Sequence, residues 1–174
     1  MKKLYTFLLI FAFTLPSIAQ EIDSTSNNDN SSTYYFIRHA EKDRSDKTNK
    51  DPNLVLDGIL RAAKWSIVLD NIDFDAIYST NYNRTKETAQ PTAEKNNLDI
   101  TVYDPRNIDA KSFLEQTKGK KVLVVGHSNT TPMFVNKLLG KEKYKQIDDS
   151  NNANLYIITI SSSGEISDTL LVIE

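Results

Sequence analysis

The 174-residue chain contains no cysteine, and that absence removes disulfides, thiolate nucleophiles and cysteine-ligated zinc from its possible chemistry. It also removes lipid attachment of the bacterial lipoprotein type, while leaving the redox compartment open. An excess of one charge is lacking too, since 21 Lys and Arg stand against 23 Asp and Glu, for a net charge of -2. No strong long-range field therefore draws the whole protein toward nucleic acid or anionic lipid, and any anion site must be local. No internal repeat or second domain is visible, and 39% hydrophobic with 25% charged residues fits one globular domain. Long hydrophobic runs are missing as well. The longest, Leu4 to Leu15, is about a dozen residues, short of the roughly 20 that span a bilayer as a helix.

That run lies between Met1-Lys2-Lys3 and Ser17-Ile18-Ala19, a positive start and a small-residue cleavage site, which together predict a signal peptide over residues 1–19. The mature protein is expected to be soluble and exported, periplasmic or extracellular, with no stable membrane insertion after cleavage. Residues 20–33 are almost entirely polar and predict a flexible leader, because they bury too little to offset the entropy of ordering. Residues 34–174 are left as the folded domain.

Within it, short apolar runs at 34–37, 76–78, 100–103 and 122–125 predict buried strands. Helical patterns lie between them, over 57–69 with Ile59, Leu60, Ala63, Ile67 and Val68 apolar, over 84–95, and over 110–116. Another helix is predicted over 132–139, with Thr131 as N-cap, Pro132 at the first position and Gly140 as the stop. Pro91 removes a backbone hydrogen bond and predicts a kink or break. Runs at 153–160 and 165–173, separated by Ser161-Ser162-Ser163-Gly164, predict a hairpin at a sheet edge. The alternation predicts an α/β fold: a three-layer α/β/α sandwich whose sheet is mostly parallel and ends in an antiparallel edge hairpin.

Both histidines of the chain, His39 and His127, immediately follow predicted strands. In a parallel sheet the strands end on one edge and ligands bind outside it, so both should face one pocket. Arg38 and, through the strand ending near Thr80, Arg84 reach the same edge. Two guanidinium groups supply planar bidentate donors for a phosphate dianion. One neutral imidazole can attack phosphorus while the other stabilises charge, and phosphoryl transfer asks mainly for positioning and charge. The sequence shows no metal site and calls for no cofactor.

The motifs, in order, resemble those of the histidine phosphatase superfamily, the phosphoglycerate mutase-like family, in its small branch. Arg38-His39-Ala40-Glu41 is similar to the Arg-His-Gly signature, with Ala40 in place of Gly and a slightly reshaped backbone expected there. Leu54 to Ala62, Ser79 through Arg84 to Ala89, and Gly126-His127-Ser128-Asn129 resemble the motifs that follow. The resemblance implies a phosphohistidine formed on His39, with Arg38, Arg84 and His127 around the phosphate, and hence a metal-independent phosphatase acting on phosphomonoesters. The long insertion that supplies the proton donor in the mutases has no counterpart in the short 94–100 connection, which favours hydrolysis over mutase activity. A catalytically inactive phosphate-binding module is the alternative from another class. Glu41 is the expected proton donor to the leaving group, with Asp43 as alternative. Ser128 and Asn129 either bind phosphate or shape the turn. Arg61 is expected to be solvated, and Trp65 to pack in the core. The expected partner is a small phosphorylated substrate or an envelope-linked phosphate.

Overall fold

The structure is a computed structural model that describes residues 30–174; the signal peptide expected over 1–19 and most of the expected leader lie outside the described residues. The elements follow in the order β1 (Ser32–Arg38), α1 (Leu56–Val68), β2 (Ala76–Thr80), α2 (Asn83–Asn96), β3 (Ile100–Tyr103), α3 (Ala110–Gln116), β4 (Lys121–Gly126), α4 (Thr130–Leu139), β5 (Asn154–Ile160) and β6 (Ile166–Val172). They form one six-stranded sheet in the order β3-β2-β4-β1-β5-β6. The first four strands run parallel, while β5 is antiparallel to β1 and β6 to β5, so the expected edge hairpin is present.

Strand periodicity of two sorts the core into two layers. Tyr34, Phe36, Val122 and Val124 meet Phe134, Val135 and Leu138 of α4 on one face. Ile37, Ile77, Leu123 and Val125 meet Trp65 of α1 and Ala89 and Ala93 of α2 on the other. Each large side chain removed from water in this way contributes about 1.5–3 kcal/mol.

Four local expectations need correction. β1 begins at Ser32 rather than Tyr34, because Thr33 N–H donates to Lys120 O (2.9 Å) and the Ser32 hydroxyl accepts from Gly119 N–H (2.8 Å). On α1 the apolar residues Ile59, Leu60 and Ile67 are exposed by 55%, 60% and 70%, while Gly58, Ala62 and Trp65 are buried. Small residues mark the packed face there because the helix approaches closely: a Cβ on Gly58 would lie 2.1 Å from the Glu41 carbonyl oxygen. α2 runs through Pro91 without a break, since Thr85, Thr88, Ala89, Thr92 and Ala93 are buried along it and packing outweighs one missing bond. α4 starts earlier than expected, with Asn129 at the N-cap, because Thr131 N–H already donates to His127 O (3.0 Å). Gly140 ends it in the left-handed conformation that glycine tolerates. Among the described residues no helix is long and apolar enough to cross a membrane.

Candidate active site

The chain leaves β1 toward the α1 face and β4 toward the α4 face, so a crevice opens between these neighbouring strands at their C-terminal ends. Arg38 and Gly126 are register partners, and His39 N–H donates to Gly126 O (2.9 Å), which carries the ladder one step beyond the strand. His39 and His127 therefore stand side by side, with ring centroids 5.5 Å apart. Thr80, at the end of β2, places its hydroxyl 2.9 Å from His127 Nε2. Arg84 is the second residue of α2 and lays its guanidinium 4.3 Å from the centroid of the Tyr82 ring. Arg38, His39, Tyr82, Arg84 and His127 line an open cavity of about 800 Å³.

The main chain around His39 is fixed from three sides. Besides the bond to Gly126, the His39 carbonyl accepts from Asn152 Nδ2 (2.7 Å), and Ala40 N–H donates to the Thr88 hydroxyl (2.9 Å). Ala40 has no left-handed φ, since Asn97 is the one non-glycine residue of that kind among the described residues. The substitution of Ala for Gly is thus accommodated without backbone strain.

His39 Nδ1 lies 2.7 Å from the Ala40 carbonyl oxygen, which can only accept, so Nδ1 holds the proton and Nε2 keeps its lone pair. Burial pushes the His39 pKa down to about 3, with Arg38, His127 and Arg84 adding to the effect. Burial, followed by Arg84 and Lys42, lowers His127 to about 4. Both rings are neutral at neutral pH.

Arg38 is 2% exposed. Its Nη1 donates to the carbonyls of Asp148 (2.9 Å), Asp149 (3.1 Å) and Asn151 (2.9 Å), and its Nη2 to Asp149 Oδ1 (2.7 Å). Its terminal nitrogens thus hold the 148–151 loop, and Nε is left without a partner. Arg84 Nε and Nη1 are likewise buried without a hydrogen bond, the carboxylate of Asp51 lying 3.6 Å from Nη1. Unsatisfied buried donors of this charge are costly, and an anion with several acceptor oxygens would satisfy them.

The expected proton donor, Glu41, does not line the cavity. The segment after β1 is extended, so side chains alternate, and Glu41 turns toward α1 to accept from Arg61 Nε at 2.7 Å. Arg61 is accordingly paired rather than solvated. Asp43 is also outside the cavity wall, capping Ser45 N–H (2.8 Å). Ser128 and Asn129 do line the cavity; the carbonyl of Ser128 accepts from Ile147 N–H (2.8 Å), so it shapes the turn as well. Trp65 packs in the core, 1% exposed.

Lys42, Tyr82, Asp104, Arg106 and Asp149 also line the cavity, although the sequence did not single them out. Period-two alternation from His39 points to Glu41 and away from Lys42, so no sequence signal singled out Lys42, whereas the turn-rich run Asp148 to Asn152 could have flagged the loop that Arg38 grips. Among the described residues no group of three or more His, Asp or Glu side chains is arranged to hold a metal ion.

The family model described as the histidine phosphatase superfamily (branch 1) matches residues 34–106, a stretch that holds Arg38, His39 and Arg84. Over residues 34–106 the chain is thus similar to the histidine phosphatase superfamily. The same fold is seen in solved structures of low sequence identity. The protein histidine phosphatase SixA complexed with tungstate aligns with a TM-score of 0.63 at 14% identity, covering 80% of this chain and 96% of that one. Phosphoglycerate mutase from Bacillus anthracis gives 0.61 at 16%, covering 84% and 95%. Phosphoserine phosphatase from Entamoeba histolytica, in complex with 3-phosphoglyceric acid, gives 0.57 at 16%, covering 79% and 95%. No curated protein matches the chain. His127 lies beyond the matched segment; its place in the site rests on its proximity to His39.

Proposed function

We propose that this protein is a phosphatase that hydrolyses phosphomonoesters through a phosphohistidine on His39. The observation that carries the reading is the His39 imidazole, neutral and locked with Nδ1 on a carbonyl, beside three buried guanidinium nitrogens that lack hydrogen-bond partners. In this reading Arg84 and Arg38 Nε hold the phosphoryl oxygens while His39 Nε2 attacks phosphorus in line with the departing ester oxygen. His127 donates a hydrogen bond to the phosphoryl group as charge spreads over it, and Thr80 orients that ring. Water then attacks the phosphohistidine and releases phosphate. Tight enclosure of two phosphorylated positions, as a mutase requires, has no support in the open cavity, so hydrolysis is favoured.

The physiological substrate is a small phosphorylated compound or an envelope-linked phosphate, and the site of action lies outside the cytoplasm, a reading supported by the residue pattern of Met1 to Ala19. The test is hydrolysis of 4-nitrophenyl phosphate with chelator present, together with acid-quench trapping of the phosphoenzyme. Wild-type turnover and a trapped phosphoenzyme, both lost in His39→Ala, are expected. Wild-type protein that binds phosphate but neither turns over nor traps would make it a binding module instead.

A further inference from the structure

An ester oxygen leaving as an alkoxide needs a proton as its bond to phosphorus breaks. The cavity's carboxylates do not offer one. Asp149 accepts from Arg44 (2.8 Å) and Arg38 (2.7 Å), and Asp104 accepts from the backbone and side chain of Arg106; these bonds hold both carboxyls below the usual carboxylate range. Glu41 and Asp43 are turned out of the cavity.

Lys42 is turned in. It lies three residues beyond His39, where a bridge to Leu54 is flanked by Val55 N–H to Glu41 O (3.0 Å) and Asp43 N–H to Asn53 O (2.8 Å). This pairing fixes the extended backbone that sends Glu41 one way and Lys42 the other. Among the described residues the Lys42 ammonium has no ion pair. The charged groups near it are Arg84 of α2, Arg44 of the following loop, Arg38 of β1, and Asp149, which Arg38 and Arg44 already engage; His127 is close enough to feel its charge.

We propose that Lys42 is the catalytic residue that protonates the leaving group, an assignment that rests on the phosphatase reading above. As His39 Nε2 bonds to phosphorus, the phosphorus–oxygen bond breaks, its electron pair stays on the ester oxygen, and that oxygen takes a proton from Lys42 Nζ. An alcohol departs and Lys42 is left as a neutral amine. In the second half the amine takes a proton from the attacking water, the phosphorus–nitrogen electron pair returns to Nε2, and phosphate leaves with Lys42 again an ammonium. Burial, then the repulsion of Arg84 and Arg44, holds the ammonium below its ordinary pKa, which suits a group that must give and regain a proton. Loss of that proton as pH rises removes the acid, so the wild-type rate on alkyl phosphates should fall on the basic side.

Lys42→Arg retains the charge but holds its proton too tightly to donate it. Phosphoryl transfer is measured for Lys42→Arg and wild type across esters running from 2,4-dinitrophenyl through phenyl to alkyl phosphates. In the first half-reaction, read as the rate of phosphoenzyme formation, the variant should stay within about threefold of wild type on the dinitrophenyl ester and lose about 10²–10³-fold on alkyl esters, with a steeper dependence on leaving-group pKa and no basic limb. An equal loss on every ester would make Lys42 a charge and not a proton donor, and no loss on any would remove it from the chemistry. Phosphoenzyme trapping with the dinitrophenyl ester separates the two readings: a wild type that never traps overturns both, whereas a trapping variant with unchanged alkyl rates overturns the role of Lys42 alone.

Discussion

Two imidazoles held neutral in a nest of guanidinium groups have a measurable consequence, because the chain has no other histidine. The two C2–H proton resonances should titrate at about 3 and 4 instead of near 6.5, with His39 the lower. Each folded pKa lies below its unfolded value, so these groups contribute stability that is full above about pH 6.5 and is lost as pH falls toward the folded values. A histidine signal titrating above 6 in the folded protein would contradict the burial and charge described for that ring. Residue by residue, the sequence made His39, His127, Arg38 and Arg84 legible because each sits at the end of an apolar run or just after one. It did not make Glu41 legible, since its direction depends on a bridge between Lys42 and Leu54 that only the folded chain forms.

Among the elements, α1 shows why apolar periodicity alone can mislead. Its large apolar side chains at 59, 60 and 67 face outward, and the buried contacts come from Gly58, Ala62 and Trp65. Close approach to the Glu41 main chain selects small residues on the packed side, and no hydropathy pattern reports that. Urea unfolding should therefore find Leu60→Lys within about 0.5 kcal/mol of wild type. Trp65→Ala should cost about 3–5 kcal/mol. The reverse ranking would place the α1 core face where the sequence pattern alone put it. The strands were read more accurately, with β3 and α3 found at the predicted boundaries and the others within two residues, because continuous apolar runs bounded by polar residues leave little choice of register.

For the whole molecule, a net charge of -2 coexists with a cavity lined by Arg38, Lys42, Arg84 and Arg106. Attraction of a dianionic substrate is then short-ranged, and added salt should weaken it over a Debye length of about 10 Å at 0.1 M. Raising salt from about 20 to 500 mM should lower kcat/KM for a dianionic ester several-fold while leaving kcat nearly constant; a falling kcat at constant KM would point to a salt effect on the chemistry instead. The strand order was not legible, because the insertion of β4 between β2 and β1 depends on which helices cover which face. That a parallel sheet would bring distant strand ends together was legible from alternation alone.

Arg38 holds the 148–151 loop through its terminal nitrogens and has only Nε left over, whereas His39 Nε2 holds nothing in place. The two adjacent positions therefore answer to different selective pressures. A descendant that no longer needed the reaction would still require an arginine at 38 to keep its loop, but could exchange the histidine at 39 at little cost to folding. In any lineage that abandons this chemistry, the histidine is the position where the loss should first be written.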